Sequence, residues 1–256
     1  MIKDNNTQRS LYERIMNDVR EVFTARVYED FLDQVEAREQ GSAASRLAKD
    51  SYLAQVEEAV ENILAGRPPG IMLQNDVSVW PVTTNHDALV LISACIKMFG
   101  PKCNLNWIDV SGLEDFSHLF SNSFNGDISK WDTSSAKSMN YMFAGNKSFN
   151  GNISKWNVSG VRDFAGMFCD TVFNRDIFRW DVSSAETMGC MFLRSKFNQD
   201  IYSWDVSNCK DFQFMFAKSA FSRDISQWPV PPREAQTDGM FNNNPIKRTR
   251  RPVWAR

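Results

Sequence analysis

The sequence has few of the residues from which catalytic and metal sites are usually built. It contains only two histidines, His86 and His118, and neither stands at a zinc-ligand spacing from a cysteine. The five cysteines are odd in number and include no Cys-x-x-Cys pair, which argues against a disulfide framework and favours small buried thiols. No Ser/His/Asp or Cys/His spacing recurs either. We therefore predict a non-enzymatic protein that needs no metal or cofactor.

The chain also lacks long apolar runs and an excess of charge of either sign. No segment approaches the roughly 20 apolar residues of a membrane span, and the N-terminus has no apolar core of signal-peptide length. These absences favour a cytoplasmic or particle-associated location over Sec-dependent secretion. A formal net charge of −2 argues against a whole-molecule nucleic-acid binder, which would be strongly basic.

What the sequence does have is a block that returns every 24 or 25 residues. It reads FNGDISKWDTS from Phe124, FNGNISKWNVS from Phe149, FNRDIFRWDVS from Phe173 and FNQDIYSWDVS from Phe197. A fixed period of this size is typical of stacked repeats, each of which is too small to bury its own apolar face. The block contributes much of the unusual content of 19 Phe, 11 Met and 8 Trp, which we predict to form the core.

Two apolar patterns alternate within each repeat. An apolar-x-x-apolar-x-apolar pattern, as in Ile153, Trp156 and Val158, is typical of the strand of a leucine-rich-type repeat. The second half places residues such as Met139 and Phe143 at helical spacing, which predicts a short helix. The predicted fold is an α/β repeat, a leucine-rich-repeat-like solenoid with short parallel strands on one face and short helices on the other.

The periodicity divides the chain into three parts. Residues 1–70 carry two amphipathic stripes and predict a helical hairpin with 9 Lys/Arg against 13 Asp/Glu. Residues 71–246 hold about seven repeats, the first and last degenerate, with a helix expected over residues 86–99. Residues 247–256 form a basic tail with five positive charges.

The sequence leaves the roles of both ends open. The hairpin could cap the first repeat, pair with a second copy to make a homo-oligomer, or dock another protein. The basic tail could be solvated, pack on the last repeat, or make a weak contact with nucleic acid or an anionic surface.

Polar columns accompany the repeat. One asparagine stands at the same place in each clean repeat, and it can bond backbone groups of its own repeat and of the next one. These are Asn125, Asn150, Asn174 and Asn198. The nearby acidic column, with Asp127 and Asp224 among its members, is expected to stabilise turns rather than bind calcium, because calcium-type glycine-rich nonapeptides are absent.

The repeated string, with Phe-Asn-x-Asp-Ile-x-x-Trp-Asp-Val-Ser followed by Met-x-x-Met-Phe, resembles the repeat of BspA-like surface proteins and mycoplasma-type lipoproteins. The resemblance covers about residues 104–242, and weakly 74–103. It implies a leucine-rich-repeat-like solenoid used for binding, typically in adhesion or recognition at a cell surface. Similar repeats occur in proteins of phages and large viruses. The resemblance brings no catalytic residues, and this chain departs from it in lacking a lipoprotein signal.

Candidate binding residues flank the buried tryptophans, because outward-facing positions of a strand alternate with inward-facing ones. A cationic column precedes Trp, an acidic column follows it, and two aromatic residues stand one position further back. We call these nine residues the Trp-flank surface: Lys130, Asp132, Lys155, Asn157, Phe178, Arg179, Asp181, Tyr202 and Asp205. The two aromatic residues either form an exposed hot spot or pack only against each other.

Neighbouring columns of opposite charge argue against a phosphate-binding track. The leading hypothesis is therefore a scaffold protein that binds a protein partner. A carbohydrate-binding or host-adhesion surface module is one alternative, and a structural component of a phage or viral particle is another.

Overall fold

The structure is a computed structural model that describes residues 73–74, 77–78, 80–120 and 123–255. The chain divides into two compact units, Met1–Trp80 and Pro81–Arg256. The predicted hairpin of residues 1–70 lies outside the described residues. In the first unit, strand β1 (Leu73–Gln74) pairs antiparallel with strand β2 (Val77–Ser78).

Helix α1 spans Asn85–Phe99 and confirms the helix expected from residue 86 to residue 99. It begins after Thr84, whose hydroxyl oxygen accepts a hydrogen bond from the backbone N–H of Asp87 at 3.1 Å. This bond satisfies one of the donors that every helix leaves open in its first turn. Gly100 follows the helix at a φ of +82°, a conformation that glycine adopts at little cost.

After α1, equivalent residues of successive repeats lie side by side in the same direction. Strands β3 (Trp80–Pro81) and β4 (Ile108–Asp109) are only two residues long, and Val82, just after β3, donates its N–H to the carbonyl of Asp109 at 2.8 Å. Beyond them, parallel bridges join one residue of each repeat to its equivalent in the next: Asp115, Ser138, Asp163, Thr187, Asp211 and Gln236.

The segment that follows each of these bridges forms a row of turns. In residues 139–145, every second residue donates its N–H to a carbonyl oxygen of the next repeat at 2.8–3.0 Å. The donors are Met139, Tyr141, Phe143 and Gly145. The N–H groups of Met142 and Ala144, between them, bond three residues back in their own repeat. We call each such segment a ladder row. The rows are residues 116–120, 139–145, 164–170, 188–194, 212–218 and 237–243.

The ladder rows differ from the predicted short helices because their backbone includes left-handed residues. Tyr141 has a φ of +50° and Gly145 a φ of +75°, and equivalent residues in the later rows also have positive φ. Such residues cannot continue a right-handed α-helix. Around Trp131 the chain also turns instead of forming the predicted strand, since its N–H bonds the carbonyl of Ile128 in the same repeat.

Two columns of phenylalanine fill the core between the ladder rows and the tryptophans. Neighbouring rings within each column lie 5.2–6.2 Å apart in stacked geometry, and the two columns meet at 4.0–4.3 Å in five successive repeats. Offset stacking is a favourable arrangement for aromatic pairs. The first column is Phe124, Phe149, Phe173, Phe197 and Phe221, and the second is Phe120, Phe143, Phe168, Phe192, Phe216 and Phe241. The phenylalanines of these two columns are therefore core, as predicted.

The C-terminal residues pack on the last repeat. Two single 3-10 turns, Arg248–Arg250 and Val253–Ala255, carry the chain across it. Trp254 donates its indole N–H to the carbonyl oxygen of Trp228 at 3.4 Å. The backbone N–H of Ile225 donates to the carbonyl oxygen of Arg250 at 3.0 Å. The basic tail thus packs on the last repeat, which is one of the three roles left open for it.

Candidate interaction surface

The tryptophans at the centre of the Trp-flank surface are buried parts of the stack. From Trp131 to Trp228 they are only 2–4% exposed. Each indole N–H donates to a backbone carbonyl in the preceding repeat, such as Ile128 for Trp156 at 3.1 Å. Since the tryptophans are engaged in this way, a ligand on this side of the molecule meets the residues beside them.

The structure leaves these flanking residues accessible. Eight of the nine predicted site residues are exposed, and the ninth, Phe178, is half-buried. Lys130, Lys155 and Arg179 occupy equivalent positions of consecutive repeats and form one cationic column. The surface therefore carries several accessible charges in a regular array.

The acidic column has a structural role that sequence analysis did not predict for it. In each member the side-chain Oδ1 accepts the backbone N–H of the serine two residues later, at 3.0–3.1 Å. The members are Asp132, Asn157, Asp181 and Asp205. The hydroxyl and backbone N–H of Ser183 lower the pKa of the Asp181 carboxyl, because both bond its charged form. This carboxylate is thus held in a fixed orientation and stays ionised at neutral pH.

Phe178 and Tyr202 lie in contact at the middle of the surface. Their ring centroids are 5.1 Å apart and their planes are inclined at 53°, a tilted geometry favoured by aromatic pairs. The backbone at Phe178 is fixed, since its N–H donates to Oδ1 of Asp176 at 2.8 Å. The two rings do pack on each other, yet Tyr202 is still 55% exposed. The pair therefore presents an ordered, solvent-accessible aromatic surface.

The asparagine column bonds successive repeats together. Oδ1 of Asn125 accepts the backbone N–H of Asn150 at 3.0 Å, and the same bond recurs down the column as far as Ser222. The predicted bond to the next repeat is therefore confirmed. These side chains stabilise the stack.

The neighbouring acidic column stabilises turns, as predicted. Asp127 accepts the backbone N–H of Ser129 at 3.0 Å, and Asp224 accepts that of Ser226 at 2.9 Å. These backbone hydrogen bonds are the largest cause of the lowered pKa of each carboxyl. Within the described part of the chain, no group of three or more His, Cys, Asp or Glu residues could hold a metal ion.

A second aromatic surface lies on the ladder rows, and sequence analysis missed it. The ring of Tyr141 stacks on His118 at 5.4 Å on one side and covers Gly166 on the other. Phe214 covers Gly239 in the same way and is 42% exposed. The signal in the sequence was the glycine that stands 25 residues after each aromatic residue. It was not recognised because the segment was expected to be helical.

All five cysteines are free thiols. Burial raises the pKa of Cys95 and of Cys209 to about 12, and it is also the main cause of the raised pKa of the other three. Reactive cysteines need a lowered pKa, because the thiolate is the nucleophile. These thiols therefore show no sign of activation for catalysis.

The repeats match a known family. The model of the family described as "Mycoplasma protein of unknown function, DUF285" matches residues 92–196 and again residues 155–253, which together span well over half of the chain. The chain belongs to this family. The two DUF285 matches include the ladder rows from residue 116 onward and the whole Trp-flank surface. They confirm the predicted relation to mycoplasma-type repeats.

The other comparisons add no relative with a known role. No curated protein and no solved structure matches the chain. No helix among the residues that the structure describes is both long enough and apolar enough to cross a membrane.

Proposed function

We propose that this DUF285 protein is a non-enzymatic interaction protein whose repeats form a leucine-rich-repeat-like solenoid and bind a protein partner through the Trp-flank surface. The observation that carries the proposal is the ordered pair of Phe178 and Tyr202. A ring that is 55% exposed stands there among accessible cations and carboxylates.

Support for the solenoid comes from the way in which successive repeats are joined. Parallel bridges, alternate N–H groups of the ladder rows and two stacked phenylalanine columns all connect one repeat to the next. In such an architecture each repeat is stabilised by its neighbours. A side chain at one repeat position therefore recurs as a column on one surface, which suits a long interface.

Support for a protein partner comes from the composition of the Trp-flank surface. Aromatic residues and arginine are enriched in the buried centres of protein interfaces, and Phe178, Arg179 and Tyr202 provide both. The neighbouring residues alternate in charge. A partner with the complementary charge pattern would therefore bind in preference to others. Because Tyr202 is packed against Phe178, it loses little side-chain freedom on binding.

Site-specific photocrosslinking in extract of the source cells tests this function. A benzophenone amino acid replaces Tyr202 in one variant and Val230, which is 74% exposed on the last repeat, in a control variant. We expect one protein to crosslink from position 202 and not from position 230. Unlabelled wild-type chain should compete this product away, and chain carrying Phe178→Ala and Arg179→Glu should not.

The same variants separate the alternatives. If position 202 gives no saturable protein product, and a glycan array binds the wild type but not Tyr202→Ala, a carbohydrate-binding module replaces the proposed function. If the protein copurifies with phage or viral particles and crosslinks only to a particle protein, the particle-component hypothesis is favoured instead.

A further inference from the structure

The two ends of the stacked ladder rows present different backbone groups. Inside the stack, each row donates alternate N–H groups to the carbonyl oxygens of the next row. By this polarity, the carbonyl oxygens of the first row have no earlier row as donor, and among the residues that the structure describes no later row accepts the N–H groups of the last row.

A side chain bonds part of the carbonyl end. Asn85, in the first turn of α1, donates its side-chain amide to the carbonyl oxygen of Ser117 at 2.8 Å and to that of Asp115 at 3.2 Å. These two bonds replace two of the four that a preceding row would supply.

The N–H end has no such partner among the described residues. The preceding row donates to carbonyls of the last row at 2.8–3.0 Å, through Phe212, Phe214, Phe216 and Lys218. The equivalent N–H groups of the last row belong to Thr237, Gly239, Phe241 and Asn243, and none has an acceptor in the described part of the chain.

The last row nevertheless keeps the conformation of the rows before it. Gly239 and Asn243 have φ values of +64° and +51°, close to the +55° of both Phe214 and Lys218. Its internal bonds also recur, such as that from the N–H of Met240 to the carbonyl of Thr237 at 3.1 Å. The four donors therefore share the direction of their equivalents and form an ordered edge.

Residues of the C-terminal segment pack on the core at this end. The Arg251 guanidinium lies over the Phe241 ring at 4.7 Å, and the Trp254 ring lies 5.1 Å from that of Phe212. The same segment places Lys247, Arg248 and Arg250 in exposed positions, whereas the last row itself carries one acid, Asp238. The edge thus combines backbone donors with a local excess of positive charge.

We propose that the last ladder row is a docking edge for an extended acidic segment of a partner protein. Carbonyl oxygens at alternate positions of that segment accept the four N–H groups, in the mode by which peptides add to open sheet edges. Its carboxylates pair with the basic residues of the C-terminal turns. This edge is separate from the Trp-flank surface, so the proposal stands independently of the proposed function.

A second copy of the chain fits the edge less well. Two such edges facing each other would oppose donor to donor. At the carbonyl end of another copy, two of the oxygens are already bonded by Asn85. A single inorganic anion would meet only part of a row that extends from residue 237 to residue 243.

Amide hydrogen exchange, followed by NMR on the full chain, tests the proposal at single residues. The probe is a synthetic peptide of about twelve residues with glutamate at alternate positions. Two control peptides carry lysine for glutamate or, at alternate positions, trans-alkene groups that replace the peptide bond and lack its carbonyl oxygen. In the free protein we expect the amides of Thr237, Gly239, Phe241 and Asn243 to exchange at least about 100-fold faster than their four equivalents in the preceding row. The glutamate peptide should slow all four, and both controls should slow them much less.

Charge-reversed variants complete the test. Lys247→Glu with Arg248→Glu should weaken binding of the glutamate peptide by about tenfold or more, and Lys137→Glu, an exposed change far along the chain, should not. The proposal is overturned if the four amides are already protected in the free chain or stay unprotected with the glutamate peptide. Equal protection by inorganic phosphate, or protection that depends on protein concentration alone, would overturn it in favour of an anion site or a second copy.

Discussion

The ring of Tyr141 fills the space beside Gly166 in which a side chain at that position would have to begin. Gly166 is also left-handed, with a φ of +62°. Gly145 has a φ of +75°, but among the described residues, apart from its two chain neighbours, no atom lies within 4 Å of the place where its Cβ would stand. The two glycines share an unusual backbone conformation and differ in the space around them, so they separate two physical effects.

We expect Gly166→Ala to destabilise the protein more than Gly145→Ala. The second change adds only the backbone cost of a left-handed alanine, about 1–2 kcal/mol. The first must also displace the Tyr141 ring, for a total of about 2–4 kcal/mol. Urea unfolding measures both. Adding Tyr141→Ala should remove most of the difference between the two glycine variants, and equal losses in the single variants would contradict the ring contact.

The tryptophan ladder predicts an effect that depends on hydrogen-bond length. The indole N–H of Trp131 lies 2.9 Å from the carbonyl oxygen of Leu105, whereas that of Trp204 lies 3.4 Å from the oxygen of Ile177. Replacement by phenylalanine removes the same donor and nearly the same volume at each buried site. We expect Trp131→Phe to cost about 1 kcal/mol more than Trp204→Phe. Equal unfolding free energies in urea would show that burial alone decides the cost.

The repeat spacing was enough to predict which residues are buried. A tryptophan, a Phe-Asn pair and a Met-Phe pair that recur together must occupy equivalent places, and stacking makes those places the core. Trp156 at 4% exposure and Phe149 at 0% confirm this. The bond from Asn125 to the next repeat also followed, because an exposed amide repeated at one turn has neighbouring backbone as its nearest partner.

The backbone of the ladder rows could not be predicted from the same pattern. Apolar residues at i, i+3 and i+4 suit a helix and a row of turns equally well. Tyr141, Cys190 and Phe214 adopt a left-handed conformation that their side chains disfavour, and the bonds between rows offset its cost. Those bonds join residues about 25 positions apart, so no local preference reveals them. The open edge at residues 237–243 escaped prediction for the same reason.

Asn85 donates hydrogen bonds to two carbonyl oxygens at the start of the first ladder row. This role predicts an unusual order of stability among variants at position 85. Asn85→Ala should destabilise the protein by about 1–2 kcal/mol, since two carbonyl oxygens lose their partner. Asn85→Asp should be worse, because a carboxylate would face the carbonyls of Asp115 and Ser117. An acidic side chain at a helix N-terminus ordinarily stabilises the helix by about 0.3–1 kcal/mol, so the helix alone would favour aspartate over alanine. Chemical denaturation near neutral pH gives the order, and an aspartate variant as stable as wild type would refute this role of Asn85.

We expect protonation of Asp181 to contribute to a loss of stability in acid, and the substitution Asp181→Asn should remove that contribution. Hydrogen bonds from Ser183 lower its pKa in the folded protein, whereas the unfolded chain has the ordinary value of about 3.9. The carboxylate therefore stabilises the fold fully above that value, and the effect is lost as the pH falls through the folded pKa. Asp181→Asn keeps the acceptor oxygen without titrating, as Asn157 does at the equivalent position. Urea midpoints at about pH 7 and about pH 3 should therefore differ less for Asp181→Asn than for wild type. If both proteins lose the same stability in acid, Ser183 does not favour the ionised form of Asp181.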